Sequence, residues 1–79
     1  MVTVHRAFGY RFMMFTNDHS PPHVHVFGPQ GEAKIVLAGP GDPFPERVAG
    51  IGRGDLRRIL KETHARRDAL LLEWTRIHG

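Results

Sequence analysis

The stretch FGYRFMMFT, residues 8–16, decides the predicted fold of this chain. Its even-numbered positions from 8 to 14 are all apolar, whereas its odd-numbered positions mix glycine, arginine and apolar side chains. Successive side chains of a β-strand point to opposite faces, so this alternation predicts a strand with one buried face and one mixed face. Similar patterns occur before and after it, which indicates a sheet.

Four more strands are predicted around this stretch. Val2 and Val4 alternate with polar neighbours and predict a short first strand. Alternating patterns predict further strands over residues 23–27 and 32–38, and a glycine-containing pattern predicts a short fifth strand over residues 47–51. The connections are rich in the turn-forming residues Gly, Pro, Asn and Asp. The longest connection covers residues 39–45, and we expect its tip to be mobile.

The last third of the chain predicts one long helix over residues 55–77. Apolar residues from Leu56 to Ile77 fall on one side at about 100° per residue. Asp55 suits the start, where free N–H groups and the helix dipole favour a carboxylate. The pattern does not decide whether this helix is kinked near residues 64–65.

These elements together predict an α+β fold. An antiparallel β-meander of three to five strands packs on one long C-terminal helix in two layers. Residues 1–79 form a single domain, with a sheet part over 1–52 and a helical part over 53–79. The predicted buried face of the sheet consists of Tyr10, Phe12, Met14, Val24, Val26, Ala33, Ile35 and Leu37.

Composition limits the kind of protein. The chain has 79 residues and no cysteine, which excludes disulfides and thiolate metal ligands. It has no signal-peptide core and no apolar run of membrane-spanning length, so we expect a bacterial protein of the cytoplasm that does not bind membranes. Residues 1–52 hold four basic and four acidic side chains. Residues 53–79 hold seven and four, and therefore carry the whole net charge of +3.

The most concentrated chemistry lies in NDHSPPHVHV, residues 17–26. His23 and His25 are two positions apart, so their rings leave the same face of a strand. The sequence therefore offers candidate ligands for a divalent transition metal such as zinc. These candidates are Asp18, His19, His23 and His25. The alternative is that these histidines are surface residues beside a capped turn, with no ion.

Two further kinds of site are predicted from side-chain chemistry. Without a metal, His23 and His25 would act as general acid and base on a phosphodiester, with Arg11 or Lys34 stabilising the developing charge. Separately, a positive stripe on the helix would bind nucleic acid or an acidic partner, although such a stripe is also typical of a solvated helix face. The stripe consists of Arg53, Arg57 and Lys61.

The second face of the predicted sheet mixes polar and apolar side chains, which is typical of a contact surface. It predicts contact with a partner, with a substrate or with a second copy of the chain in a homodimer. Its members are Arg11, Met13, Phe15, His23, His25, Phe27, Lys34 and Val36.

Four motifs resemble one known family. FGYRF (8–12), NDHxPPHxHV (17–26), GEA (31–33) and LLxxW (70–74) resemble the domain of unknown function 4160 family of bacteria over nearly the whole chain. The proline-rich loop 39–45 and the arginine-rich helix depart from the usual pattern. The resemblance implies no established activity. It does imply a two-gene module of toxin–antitoxin type, because the genes of the family tend to neighbour a gene for a small DNA-binding-like protein.

The sequence as a whole therefore predicts a small interaction module. It would form one component of a toxin–antitoxin-like pair, with a protein partner encoded nearby, and would use the face bearing His19, His23 and His25. The alternative is a toxin of the ribonuclease type that depends on histidine or on a metal. Whether the protein is an enzyme stays open at this point.

Overall fold

The computed structural model describes residues 1–79 and contains a five-stranded sheet followed by two helices. All neighbouring strands are antiparallel and lie in the sheet in chain order, β1-β2-β3-β4-β5. The predicted α+β class and the antiparallel meander are therefore confirmed, with five strands. The elements are β1 (Val2–Ala7), β2 (Tyr10–Met14), β3 (His23–Phe27), β4 (Glu32–Val36), β5 (Phe44–Ala49), α1 (Arg53–Ala65) and α2 (Arg67–His78).

The prediction of one long helix is wrong, because the chain leaves helical geometry at Arg66. Its φ of −106° and ψ of 14° separate α1 from α2. The hydroxyl of Thr63 donates to the carbonyl of Ile59 at 2.7 Å, a contact that tends to bend helices. Thr63 and Leu70 are both buried although they lie on opposite sides of the break. The apolar period runs through the break unchanged, so periodicity alone does not reveal it.

The fifth strand lies earlier than the glycine-containing pattern predicts. It runs over Phe44–Ala49, because the pairing with β4 skips Glu46 and continues with Pro45 and Phe44 opposite Ile35 and Val36. Proline is tolerated there since β5 is an edge strand. The preceding loop is tied to the helical layer by Arg67, whose guanidinium donates to the carbonyls of Gly39 at 2.6 Å and Gly41 at 2.7 Å.

The core lies between one face of the sheet and the two helices. All eight side chains predicted for the buried face belong to it, and Phe12, Val24 and Ile35 have no exposed surface. Burying each such side chain stabilises the fold by roughly 1.5–3 kcal/mol. The helical layer contributes Ile59, Leu70 and Trp74.

The second face of the sheet is less exposed than a free contact surface would be. Met13, His23 and Val36 on this face are only 3–4 % exposed. Phe15 packs against the ring of His25, with ring centroids 4.7 Å apart. Only part of the face is therefore available to a partner.

Candidate functional site

The turn between β2 and β3 positions a carboxylate. Asp18 accepts the N–H of Phe15 at 2.9 Å through Oδ2, and its own N–H donates to the Phe15 carbonyl at 3.1 Å. Short polar side chains commonly close turns in this way. The carbonyl of Pro22 accepts the N–H of Leu37 at 2.9 Å, which ties the end of the turn to the end of β4. The second carboxylate oxygen of Asp18 is left to face β3.

Strand β3 holds two imidazole rings on one face of the sheet. The ring centroids of His23 and His25 lie 4.9 Å apart. The ring of His23 packs against Trp74 of α2 at 5.1 Å, and its Nδ1 donates to the carbonyl of Pro21 at 2.9 Å. A carbonyl oxygen only accepts, so Nδ1 of His23 carries a proton and Nε2 is directed away from the backbone. Both rings are thus held in place by packing.

The free oxygen of Asp18 lies between the two rings. Asp18 Oδ1 is 3.4 Å from Nε2 of His23 and 3.3 Å from Nε2 of His25. One ligand atom from each of the three residues lies within 4.8 Å of the others. A charge-assisted hydrogen bond from a ring N–H to a carboxylate is typically about 2.7–2.9 Å. His25 therefore makes a long hydrogen bond to Asp18, and His23 lies at nearly the same distance from the same oxygen.

The electrostatics favour an ionised carboxylate beside neutral imidazole. Burial alone would raise the pKa of Asp18, but hydrogen bonds from the Phe15 N–H and the His25 ring, together with the electrostatic influence of the two nearby rings, hold this pKa below its usual value. Burial lowers the pKa of His25 and outweighs the opposing effect of Asp18. The cluster thus favours an ionised Asp18 carboxylate beside a His25 ring that binds its second proton less readily than a free imidazole does.

The cluster opens into a polar cleft of about 420 Å³. Lys34 lies opposite His25 on β4, and its ammonium pairs with Glu46 at 2.8 Å. Arg47 lies opposite Lys34 on β5. We call this region the histidine cleft, which is lined by Asn17, Asp18, His19, Ser20, His23, His25, Lys34 and Arg47.

The four candidate metal ligands are not equally placed. Asp18, His23 and His25 come together, whereas His19 is exposed on the turn and its ring is outside the group of close ligand atoms. His19 lines the histidine cleft and also a second cleft on the other side of the turn, next to Trp74. It therefore borders the cluster without completing it.

Of the candidate catalytic residues, Arg11 lies apart from the others. His23, His25 and Lys34 line the histidine cleft. Arg11 pairs with Phe27 on β3, two positions further along than His25, and is exposed outside the cleft. The structure does not bring Arg11 into the cleft, because its place in the strand register is opposite Phe27 and beyond the end of the cleft at His25.

The predicted basic stripe of the helix is remote from the cleft. Arg53, Arg57 and Lys61 are exposed on α1, and none of them pairs with a carboxylate. Arg58, between them, pairs with Asp55 and lies over the ring of Phe8 at 5.1 Å. The stripe and the histidine cleft are therefore separate features.

Three residues that matter for the cleft are not among the candidates from sequence. Arg47 lines the cleft because it pairs with Lys34 across the sheet, and the residues around Arg47 in the sequence do not predict that pairing. Trp74 is predicted as core and also supports His23. Both ring nitrogens of His78 lie 2.9 Å from carbonyl oxygens, one of Trp74 and one of Phe15, so this ring links the end of α2 to the turn that carries Asp18.

Comparison with known proteins places this chain in a family. Residues 9–75 match the family described as Domain of unknown function (DUF4160), and the chain belongs to that family. The match spans every residue of the histidine cleft. No curated protein and no solved structure matches the chain. Neither helix is long and apolar enough to cross a membrane.

Proposed function

We propose that this protein is a small interaction module of the bacterial cytoplasm, one component of a two-gene pair of toxin–antitoxin type. Its partner, encoded by the neighbouring gene, binds over the histidine cleft. The observation that supports this proposal most strongly is the cleft itself. His23, His25 and Asp18 are held by packing and hydrogen bonds, and the cleft is bordered by the half-buried Lys34 and the exposed Arg47. Such an ordered polar surface is typical of recognition sites.

The neighbouring edge strand extends this surface. All six residues of β5 are exposed, including the apolar Phe44 and Val48, and Arg47 between them belongs to the cleft. An edge strand presents unpaired N–H and C=O groups, which a strand of a partner protein commonly satisfies. The partner would therefore bind the cleft and β5 together.

Co-expression with the neighbouring gene product tests this proposal. We expect the two proteins to co-purify, and Phe44→Asp on β5 to weaken the complex at least about tenfold, because Phe44 pairs with Val36, opposite His23, and so places the charge on the face of the cleft. Leu72→Asp is the matched control, because Leu72 is an exposed apolar residue on α2. A neighbour that does not co-purify, or a complex that loses equal affinity with both variants, would contradict the proposal.

A second candidate function is cleavage of RNA. The observation in its favour is that His23 and His25 share one cleft with two basic side chains. One ring would accept the proton of the 2′-hydroxyl as that oxygen attacks phosphorus. The other ring would donate a proton to the departing 5′ oxygen, while Lys34 and Arg47 stabilise the phosphorane charge.

Expression of the protein alone separates the two functions. A ribonuclease would arrest growth, and His25→Ala would relieve the arrest while the protein stays folded. An interaction module would be harmless alone and would cut no RNA. In that case the enzymatic function is rejected.

A further inference from the structure

We infer that Asp18, His23 and His25 form a binding site for one divalent transition-metal ion, with zinc as the best fit and with an open coordination position facing the histidine cleft. This inference goes beyond the proposed function, because it concerns the isolated chain and requires no partner. Three independent features of the cluster support it: its distances, its hydrogen bonding and its donor chemistry.

The distances match those between ligands that share one ion. Four ligands arranged tetrahedrally at roughly 2.0–2.1 Å from zinc lie about 3.3–3.4 Å from one another. Asp18 Oδ1 lies 3.3 Å from Nε2 of His25 and 3.4 Å from Nε2 of His23. Two of the three separations thus equal the edge of a zinc tetrahedron, and all three ligand atoms lie within 4.8 Å of one another. The cluster therefore needs little rearrangement to hold the ion.

The hydrogen bonding around the cluster is that of a metal site. A histidine that binds a metal usually donates its other ring N–H to a carboxylate or a backbone carbonyl, which fixes the tautomer and the ring orientation. His23 does this with Nδ1 and the Pro21 carbonyl at 2.9 Å. Nε2 of His23 faces the Asp18 carboxylate at 3.4 Å, so a cation placed between them would bind to both. The Phe15 N–H holds the other oxygen of that carboxylate at 2.9 Å.

The donor set selects the class of metal. Two imidazole nitrogens and one carboxylate oxygen suit zinc and neighbouring transition ions, whereas magnesium and calcium prefer oxygen donors alone. Three protein ligands leave a fourth position open, as in catalytic rather than structural zinc sites. Lys34 and Arg47 border that position, so it would favour an anionic fourth ligand.

Metal titration of the untagged, full-length protein tests the inference. Zinc at roughly 100 times its dissociation constant should raise the melting temperature by on the order of 10 °C. Cobalt should give the visible absorption of a tetrahedral ion and be displaced by zinc. His25→Ala and Asp18→Asn should each weaken zinc binding at least about 100-fold. Both are preferable to His23→Ala, since His23 is more deeply buried.

His64→Ala is the matched control. His64 is exposed on α1 and lies 3.3 Å from a carboxylate oxygen of Asp42, so it is a surface histidine–carboxylate pair outside the cluster. Zinc should stabilise this variant as it does the natural protein. The inference is overturned if zinc fails to raise the melting temperature of the natural protein, or raises it equally in His25→Ala. Circular dichroism establishes that each variant is folded.

Discussion

The chain contains two partly buried groups of histidine and carboxylate side chains, and they differ in how closely the partners approach. His5 on β1 lies 2.6 Å from Glu62 on α1, which is the distance of a direct hydrogen bond. In the histidine cleft the corresponding distances to Asp18 are 3.3 and 3.4 Å. Similar chemistry therefore gives a short hydrogen bond in the His5–Glu62 pair and longer contacts in the histidine cleft.

The difference follows from what holds each side chain. His5 and Glu62 meet across the interface between sheet and helix, and nothing else orients the His5 ring except an edge contact with Phe12 at 5.2 Å. His23 and Asp18 are each fixed by backbone groups, at Pro21 and at Phe15. A pair that is free to close does so and stabilises the fold. The side chains of the cluster are instead held at 3.3 and 3.4 Å by their surroundings, which leaves room for an additional ligand between them.

The largest effect is expected for His23, because its ring is both buried and hydrogen-bonded. His23→Ala should lower the free energy of unfolding by about 2–3 kcal/mol, through lost packing on Trp74 and a lost hydrogen bond. His25→Ala should cost about 1 kcal/mol, since its side chain is 13 % exposed against 4 % for His23. Urea unfolding measures both. Equal losses would show that His23 has no special supporting role.

A smaller effect on stability is expected for the pair formed by His5 and Glu62. Hydrogen bonds from Arg66 and from His5 lower the pKa of Glu62 below its usual value. The folded state thus favours the ionised carboxylate, and this contribution is present above about pH 4.5 and lost as the pH falls below it. Glu62→Gln should cost about 1 kcal/mol at pH 7 and flatten the decline in stability between pH 5 and 3.

Urea unfolding across this pH range checks that expectation, with Glu32→Gln as the control. Glu32 is exposed, and its carboxylate has no ion-pair partner. The stability of Glu32→Gln should decline between pH 5 and 3 as steeply as that of the natural protein. If the stability of Glu62→Gln declined just as steeply over this range, the His5–Glu62 pair would contribute nothing to stability in acid.

The smallest effect is expected at His19. This ring is exposed and lies outside the group of close ligand atoms, so His19→Ala should change stability by less than about 0.5 kcal/mol. Zinc affinity, measured by calorimetric titration, should stay within about threefold of the natural protein. A loss as large as that of His25→Ala would instead make His19 a fourth ligand, and the histidine cleft would then hold a closed metal site.

Much of the fold follows from local patterns. The bounds of β3 agree with those predicted for residues 23–27, because Val24 and Val26 alternate with histidine and turn residues flank them. The predicted buried face is also confirmed in full. The break at Arg66 does not follow from the pattern, because an apolar period continues through it. The start of β5 depends on pairing with β4, which no local pattern encodes.

For the site, local sequence patterns were enough to predict that His23 and His25 share a face of one strand and that no thiolate ligand is available. Only the tertiary structure decided that Asp18 lies between them, that His19 lies outside, and that Arg47 joins the cleft. The physical reason is the range of the forces involved. Side-chain alternation is a property of the adjacent backbone, whereas the separations of a few ångströms within the cleft depend on how the turn folds back and on strand register. They also depend on Trp74, which packs against His23 from the far end of the chain.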